Sequence, residues 1–235
     1  MENALTIAWC DNGMVDGKFM QGITDLMLDS PAKIVTTLRS QGNQIARQRE
    51  LIIKHWYENK KSDWILWVDS DVVLTPEKFQ IVWDARDAIE RPIVNGVYFT
   101  TDTPEEPLMV PSPTLFNWTP DRFGITRIHP MPKNELIKIG AAGMGFTLMH
   151  RNAIKTIKEK LGEVMLFTEI GGWKTFTGED IYFYSLCDRA GVPVYAHTGA
   201  CVPHMKRFSF DEAYYDAFTK SNTSTKPLHS KKRKK

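Results

Sequence analysis

Four acidic residues and one histidine stand where they could do chemistry. Asp69 and Asp71 follow an apolar run in "WILWVDSDVVLTPEKF", Glu179 and Asp180 are adjacent in "FTGEDIYFYSLCDRAG", and His204 lies in the late segment "VYAHTGACVPHMK". Carboxylates set against a buried strand are costly unless something compensates them. Residues i and i+2 of an extended segment share a face, so Asp69 and Asp71 are expected to put two like charges on one side. A divalent cation resolves that repulsion. Magnesium and manganese take oxygen ligands and keep positions open for substrate phosphates. The alternative without a ligand has Asp71 capping the following turn and Asp69 in solvent. Glu179 and Asp180 have a plain alternative too, because a helix start favours negative charge. His204 is a candidate metal ligand, and His197 competes with it for that role.

A glycine-rich stretch, "GAAGMGF" from Gly140 to Phe146, lets backbone approach a substrate closely, and equally fits a tight bend between strands. It matches no phosphate-loop spacing. Neither G-x-x-x-x-G-K-[ST] nor a G-x-G-x-x-G after the first strand occurs, so triphosphate hydrolysis and dinucleotide redox chemistry lose support.

The elements that must position these residues alternate in type. "ALTIAW", "KIVTTL", "WILWV" and "RPIVNGVYF" read as strands. Between them, "GKFMQGITDLMLD" spaces Phe19, Ile23, Leu26 and Met27 as one helical face, and "NQIARQRELIIKHWYENK" does so with Ile45, Ile52 and Trp56, Asn43 serving as its cap. A further helix opens after Thr75, with Pro76 in its first turn. Such alternation predicts an α/β protein with a mostly parallel sheet flanked by helices. Prolines at 104, 107, 111, 113, 120, 130 and 132 then replace helix by loops, with short strands at "TLFNW" and "GITRIH". "ELIKIG" and "GFTLMH" read as strands, "RNAIKTIKEKLG" and "EDIYFYSLCDRAG" as helices ended by Gly162 and Gly191, and "VPVYAH" as a short strand. No repeat appears. Residues 1–218 are expected to form one domain, and 219–235 a basic tail.

Composition agrees with a globular body, since 42% hydrophobic residues among 235 suffice for a core. No apolar stretch reaches the roughly 20 residues of a membrane span, which predicts no membrane partner and a cytoplasmic location. Cys10, Cys187 and Cys201 are too scattered for a disulfide framework or a Cys-x-x-Cys site, and are expected to be reduced and buried. The net charge of +2 hides an asymmetry: "KSNTSTKPLHSKKRKK" carries seven lysines and arginines and no acid, so the rest of the chain is acidic. A tail of this kind suits either contact with nucleic-acid phosphates or a solvated end that binds nothing specifically.

In order and spacing, "AWCDNGMVDGKF", "IARQREL", the Asp-x-Asp strand, "RPIVNGVYF", "IGAAGMGFTLMHRNAI" and "GEDIYFYSLCDRAGVPVYAHTGACVPH" resemble the GT-A glycosyltransferases, particularly small stand-alone members from bacteria and their phages. The resemblance covers roughly Leu5 to Lys206. It implies a Rossmann-like GT-A fold and transfer of a sugar from a nucleotide-sugar donor, UDP-sugar favoured, with Mn2+ or Mg2+ as cofactor. Asp69, Asp71 and His204 would then hold the metal. Asp11, Asn12, Arg39, Arg47, Asp69 and Ser70 would contact the donor, and Asp180, with Glu179 beside it, would stand where inverting members keep a general base. The chain departs from many relatives in having Trp9-Cys10 where a proline-led opening is frequent, and Gln48 where asparagine often follows the helix arginine. Some phage members modify hydroxymethylated pyrimidines in DNA, and the basic tail favours such an acceptor, with Trp118 or Trp173 against an extruded base; a phage-encoded enzyme would work in the host cytoplasm. Protein or glycan acceptors are the alternative within the same chemistry. Two rivals lie outside it: a haloacid-dehalogenase-type phosphatase, whose nucleophile motif also ends a strand with Asp-x-Asp, and a non-catalytic nucleic-acid-binding module resting on the tail alone.

Overall fold

The computed structural model describes residues 3–101, 110–122, 124–172, 175–206 and 212–221. Trp173 and the basic stretch beyond residue 221 lie outside them. The chain forms two compact units, one from residues up to 100 with 113–205, the other from 101–112 with 206 onward.

The strands are β1 (Ala4–Asp11), β2 (Lys33–Gln41), β3 (Trp64–Val68), β4 (Ile93–Val97), β5 (Phe99–Thr101), β6 (Pro111–Pro113), β7 (Leu115–Trp118), β8 (Ile125–Arg127), β9 (Leu136–Lys138), β10 (Ala141–Ala142), β11 (Phe146–His150), β12 (Ile170–Gly172), β13 (Thr175–Thr177) and β14 (Val194–Cys201). The helices are α1 (Gly17–Leu28), α2 (Ile45–Asn59), α3 (Pro76–Ala85), α4 (Arg151–Leu161), α5 (Glu179–Ala190) and, in the second unit, α6 (Glu212–Ser221). Seven strands make one sheet in the order β2-β1-β3-β11-β4-β14-β9. β1 runs parallel to β2 and β3, and β14 parallel to β4, so the sheet is mostly parallel.

Two strands run the other way, β9 beside β14 and β11, and β11 matters for the site. β11 inserts between β3 and β4 antiparallel to both, which strict strand-helix alternation did not predict. It enters from the edge where β3 and β4 end, Phe146 pairing with Val68, which is the same edge at which the chain left β4. The glycine-rich bend before β11 is thereby placed at the carboxyl edge of the parallel strands, where open α/β sheets bind ligands.

Every residue of β3 is buried, since both faces are covered. Trp64, Leu66 and Val68 pack with Phe19, Ile23 and Leu26 of α1 and Phe79, Val82 and Trp83 of α3. Ile65 and Trp67 face Ile52, Ile53 and Trp56 of α2, Ile154 and Ile157 of α4, and Phe183 and Leu186 of α5. Helix ends follow local chemistry: the Thr75 hydroxyl accepts from the Lys78 amide at the start of α3, and Gly191 takes a left-handed φ of 75° after α5. Three expectations need correcting. Met27 points outward and is exposed, at the edge of the α1 stripe. The residue before α2 is Gln44, one beyond Asn43, and it makes no side-chain cap. All three cysteines are free, but Cys201 is only half-buried because alternate residues of β14 face outward.

Candidate active site

β3 delivers Asp69 and Asp71 to the carboxyl edge, but the chain turns there. The Val72 amide donates to the Asp69 carbonyl at 2.9 Å, closing a tight turn. The extended geometry expected for Asp-x-Asp is therefore lost, and the two carboxylates part company. Asp69 leans towards α2, where its Oδ1 accepts from Arg49 Nη2 at 2.7 Å. Asp71 turns to the segment after β14, where its Oδ2 lies 3.2 Å from His204 Nε2. Two backbone bonds fasten that segment: Val73 donates to the Pro203 carbonyl at 2.9 Å and Met205 to the Asp71 carbonyl at 2.7 Å. Asp69, bonded to a buried arginine, is not simply solvated.

The His204 contact has a defined chemistry. Its Nδ1 sits 2.8 Å from the Phe99 carbonyl oxygen, which can only accept, so Nδ1 carries a hydrogen. A neutral ring then turns the Nε2 lone pair towards the Asp71 carboxylate. That contact is favourable when a positive charge sits on the ring or between the two groups. A histidine oriented through Nδ1 by a carbonyl is also how protein metal ligands are commonly held. Asp71 and His204 thus fit a divalent cation. Asp69 is engaged by Arg49, and among the described residues no three His, Cys, Asp or Glu side chains are already grouped to hold an ion.

Arg49 is the organising charge, a residue outside the set expected from the sequence, which has Arg47 in its place. Its side chain is 5% exposed, and it also donates through Nη1 to Glu179 Oε1 at the head of α5. Burial disfavours its charge, but Asp69, Glu179 and Asp180 outweigh that and raise its pKa. A signal was present: Arg49 falls on the same helical face as Ile45, Ile52 and Trp56, whereas Arg47 does not.

Glu179 and Asp180 sit at the first turn of α5. Burial is the largest influence on both and pushes their pKa values up, with Arg49 opposing. Asp180 Oδ1 accepts from the Ile181 amide at 2.7 Å. Glycine makes the neighbouring approach possible: a Cβ on Gly145 would lie 2.6 Å from Asp69 Oδ2, and one on Gly143 would lie 2.0 Å from the Tyr98 hydroxyl. Tyr98 in turn sets the edge of its ring against His204 at a centroid distance of 4.9 Å.

A cleft of about 1140 Å³ opens over this edge. It brings together Asp11, Asn12, Arg47, Asp69, Ser70, Asp71, Glu179 and Asp180, along with Arg49 and Tyr98. Arg39 and His204 are not on its wall. Arg39 grips the buried Asp11 carboxylate through Nε at 2.6 Å and Nη2 at 2.7 Å, while the Gly13 amide donates to the same group at 2.7 Å. The Arg39 hydrogen bonds are the largest cause of a lowered Asp11 pKa. His204 stands behind Asp71. Cys10 lines the cleft with its pKa pushed up by burial to about 12, so it is a neutral thiol. Trp118 is partly buried against the core, away from the cleft, and His197 lies elsewhere on β14, so neither joins this site.

No protein-family model matches the chain, and no curated protein does. Solved structures share its fold. The crystal structure of A197 from STIV matches with a TM-score of 0.54 at 20% identity, over 88% of this chain and 87% of that one. The crystal structure of GalNAc-T7 with UDP, GalNAc and Mn2+ matches with a TM-score of 0.55 at 9% identity, over 88% of this chain and 45% of that one. This chain therefore spans less than half of that second protein. The likeness is one of fold, the GT-A type with its mostly parallel sheet flanked by helices.

Proposed function

We propose that the protein is a metal-dependent glycosyltransferase that moves a sugar from a nucleoside diphosphate donor, UDP-sugar favoured, to an acceptor hydroxyl. The supporting observation is that Asp71, backed by His204, and the Asp180–Glu179–Arg49 cluster meet on one cleft at the carboxyl edge of a GT-A sheet. The first suits a cation and diphosphate; the second suits an attacking hydroxyl.

Asp71 and His204 would hold a divalent ion, with Asp69 turned towards the donor. Bound there, the ion would supply positive charge for the departing nucleoside diphosphate. Asp180, its basicity raised by burial, would take the proton of the acceptor hydroxyl. Glu179 is held in its ion pair with Arg49 and would shape the wall. Asn12, Ser70 and Arg47 would flank the nucleotide, and Arg39 would act through Asp11. The phosphatase alternative needs Asp69 as nucleophile, whereas one of its oxygens is already bonded to a buried arginine. UDP as carrier draws support from the GalNAc-T7 structure, which holds UDP and Mn2+.

For the acceptor, the support is the sequence of the tail, whose seven positive charges suit a polyanion. We read the acceptor as a 5-hydroxymethylpyrimidine in DNA. The test incubates the protein with Mn2+ or Mg2+ and a panel of nucleotide sugars, against hydroxymethylated DNA, unmodified DNA, and protein and glycan acceptors, with products read by mass. A hexose added only to the modified DNA supports the whole reading. Transfer to a protein or glycan instead would overturn the acceptor, and no transfer or donor hydrolysis at all would overturn the activity.

A further inference from the structure

Gln48 is the least explained polar side chain at the cleft. It is 6% exposed and lies on α2 between Arg47 and Arg49. Its Nε2 donates to the Asp11 carbonyl at 2.8 Å and to the Ser40 carbonyl at 2.8 Å. Carbonyl oxygens only accept, so both amide hydrogens are spoken for and the amide orientation is fixed by its partners. The clamp joins the ends of β1 and β2. Oε1 is left over. Among the described residues it has no hydrogen-bond partner, and it is not one of the sealed side-chain atoms that lack one, which are Trp9 Nε1, Trp67 Nε1 and Arg151 Nε. The small exposed part of this side chain therefore includes a carbonyl oxygen whose direction is set.

The surroundings suggest what it meets. Gln48 lines both the main cleft and an adjoining chamber of about 510 Å³, formed by the end of β2, the following loop and the start of α2. Gly42, Asn43 and Arg47 border both spaces. Such a wall offers one fixed acceptor beside the amide of Asn43 and the guanidinium of Arg47, which supply donors. A ring N–H flanked by two carbonyl oxygens is the complementary edge, and that is the imide face of uracil. Cytosine presents a bare ring nitrogen in the same place and would face Oε1 with a lone pair.

We propose that Gln48 is a specificity-determining residue: its Oε1 accepts the N3–H of a uracil base and so selects uridine diphosphate donors over cytidine ones. This rests on the donor-site reading above and adds the residue that reads the base. A buried acceptor left facing a group that cannot donate costs enough to be measured, about tenfold or more in affinity.

The test is calorimetric titration of the whole chain, in Mn2+, with UDP, CDP, GDP, ADP and N3-methyl-UDP, in which a methyl group replaces the N3 hydrogen. The expected result is that N3-methyl-UDP and CDP each bind at least about tenfold more weakly than UDP. In Gln48→Leu the gap between UDP and N3-methyl-UDP should close, with UDP itself weakened. Equal binding of UDP and N3-methyl-UDP by the unmodified protein would overturn the proposal, whether or not the variant folds. A gap that survives in Gln48→Leu would overturn it as well. Binding of UDP without discrimination sinks only this assignment, whereas failure of all four natural diphosphates to bind removes the donor site and this inference together.

Discussion

Replacing Arg49 by methionine should be the most damaging single change in the cleft, and the damage should depend on pH. Methionine keeps most of the length and apolar stem but removes the cation that touches Asp69 and Glu179 and lies near Asp180. The side chains concerned are 5%, 29% and 11% exposed for Arg49, Asp69 and Glu179, so water screens the loss poorly. Removing one partner of a buried pair typically costs about 3–5 kcal/mol, out of a total domain stability of about 5–15 kcal/mol. The sign of the pH effect follows from burial. Glu179 and Asp180 already have raised pKa values, and without Arg49 they rise further. The folded variant then binds more protons than the unfolded chain, so its stability increases as pH falls through that raised range. The gap to the parent protein should be about 3–5 kcal/mol at pH 7 and smaller at pH 5, measured by urea unfolding followed through tryptophan fluorescence. Adding Glu179→Leu to Arg49→Met should recover part of the loss, because an apolar replacement leaves fewer charges stranded. A gap below about 1 kcal/mol at pH 7, or one equal at both pH values, would refute the reasoning.

Other expectations are more local. Asp180→Asn should lower kcat for transfer by about a hundredfold or more with KM for the donor little changed, the range general-base removal gives; steady-state kinetics reads this, and an unchanged kcat would place the base elsewhere. In the parent enzyme the acid limb of the same rate should lie above the ordinary aspartate value of 3.8, because burial raises Asp180. Asp11 behaves oppositely: Arg39 holds its pKa below 3.8, so its contribution to stability is present above that value and disappears as pH falls through the depressed one. Asp11→Asn should accordingly flatten the acid end of the stability profile, as seen in thermal unfolding between pH 2 and 5. Gly145→Ala should weaken nucleotide binding, since its Cβ would fall 2.6 Å from Asp69 Oδ2 and 3.0 Å from a Tyr98 ring carbon; unchanged affinity would show that the bend gives way freely.

What could be read from the sequence was whatever depends on neighbours along the chain. Thr75-Pro76 marks a helix start and Gly162 and Gly191 mark helix ends because caps are local chemistry, and "WILWV" declares itself a doubly covered strand by leaving no polar position. The acids at 69, 71, 179 and 180 were visible as an energetic cost beside apolar runs. What was hidden depends on contacts between residues distant along the chain or on elements brought side by side only by the fold. Nothing near β11 tells it to run backwards between β3 and β4, and nothing near Glu179 announces its bond to Arg49. The spacing of Asp-x-Asp predicts an extended segment, and two residues alone cannot reveal a turn fastened by Pro203 and Met205. In the sequence Gln48 stands out only as an unusual neighbour of an arginine; its fixed amide needs the ends of β1 and β2 side by side.

In the proposed function this cleft would hold a nucleoside diphosphate through a divalent ion carried by Asp71 and His204. Titration of the protein with UDP, with and without Mn2+, and again with Asp71→Asn, addresses it directly and needs no acceptor. UDP should bind the parent protein tightly only when Mn2+ is present, and Asp71→Asn should lose most of this metal-dependent gain while retaining its fold. UDP affinity that ignores the metal, or a metal-dependent gain undiminished in Asp71→Asn, would contradict it.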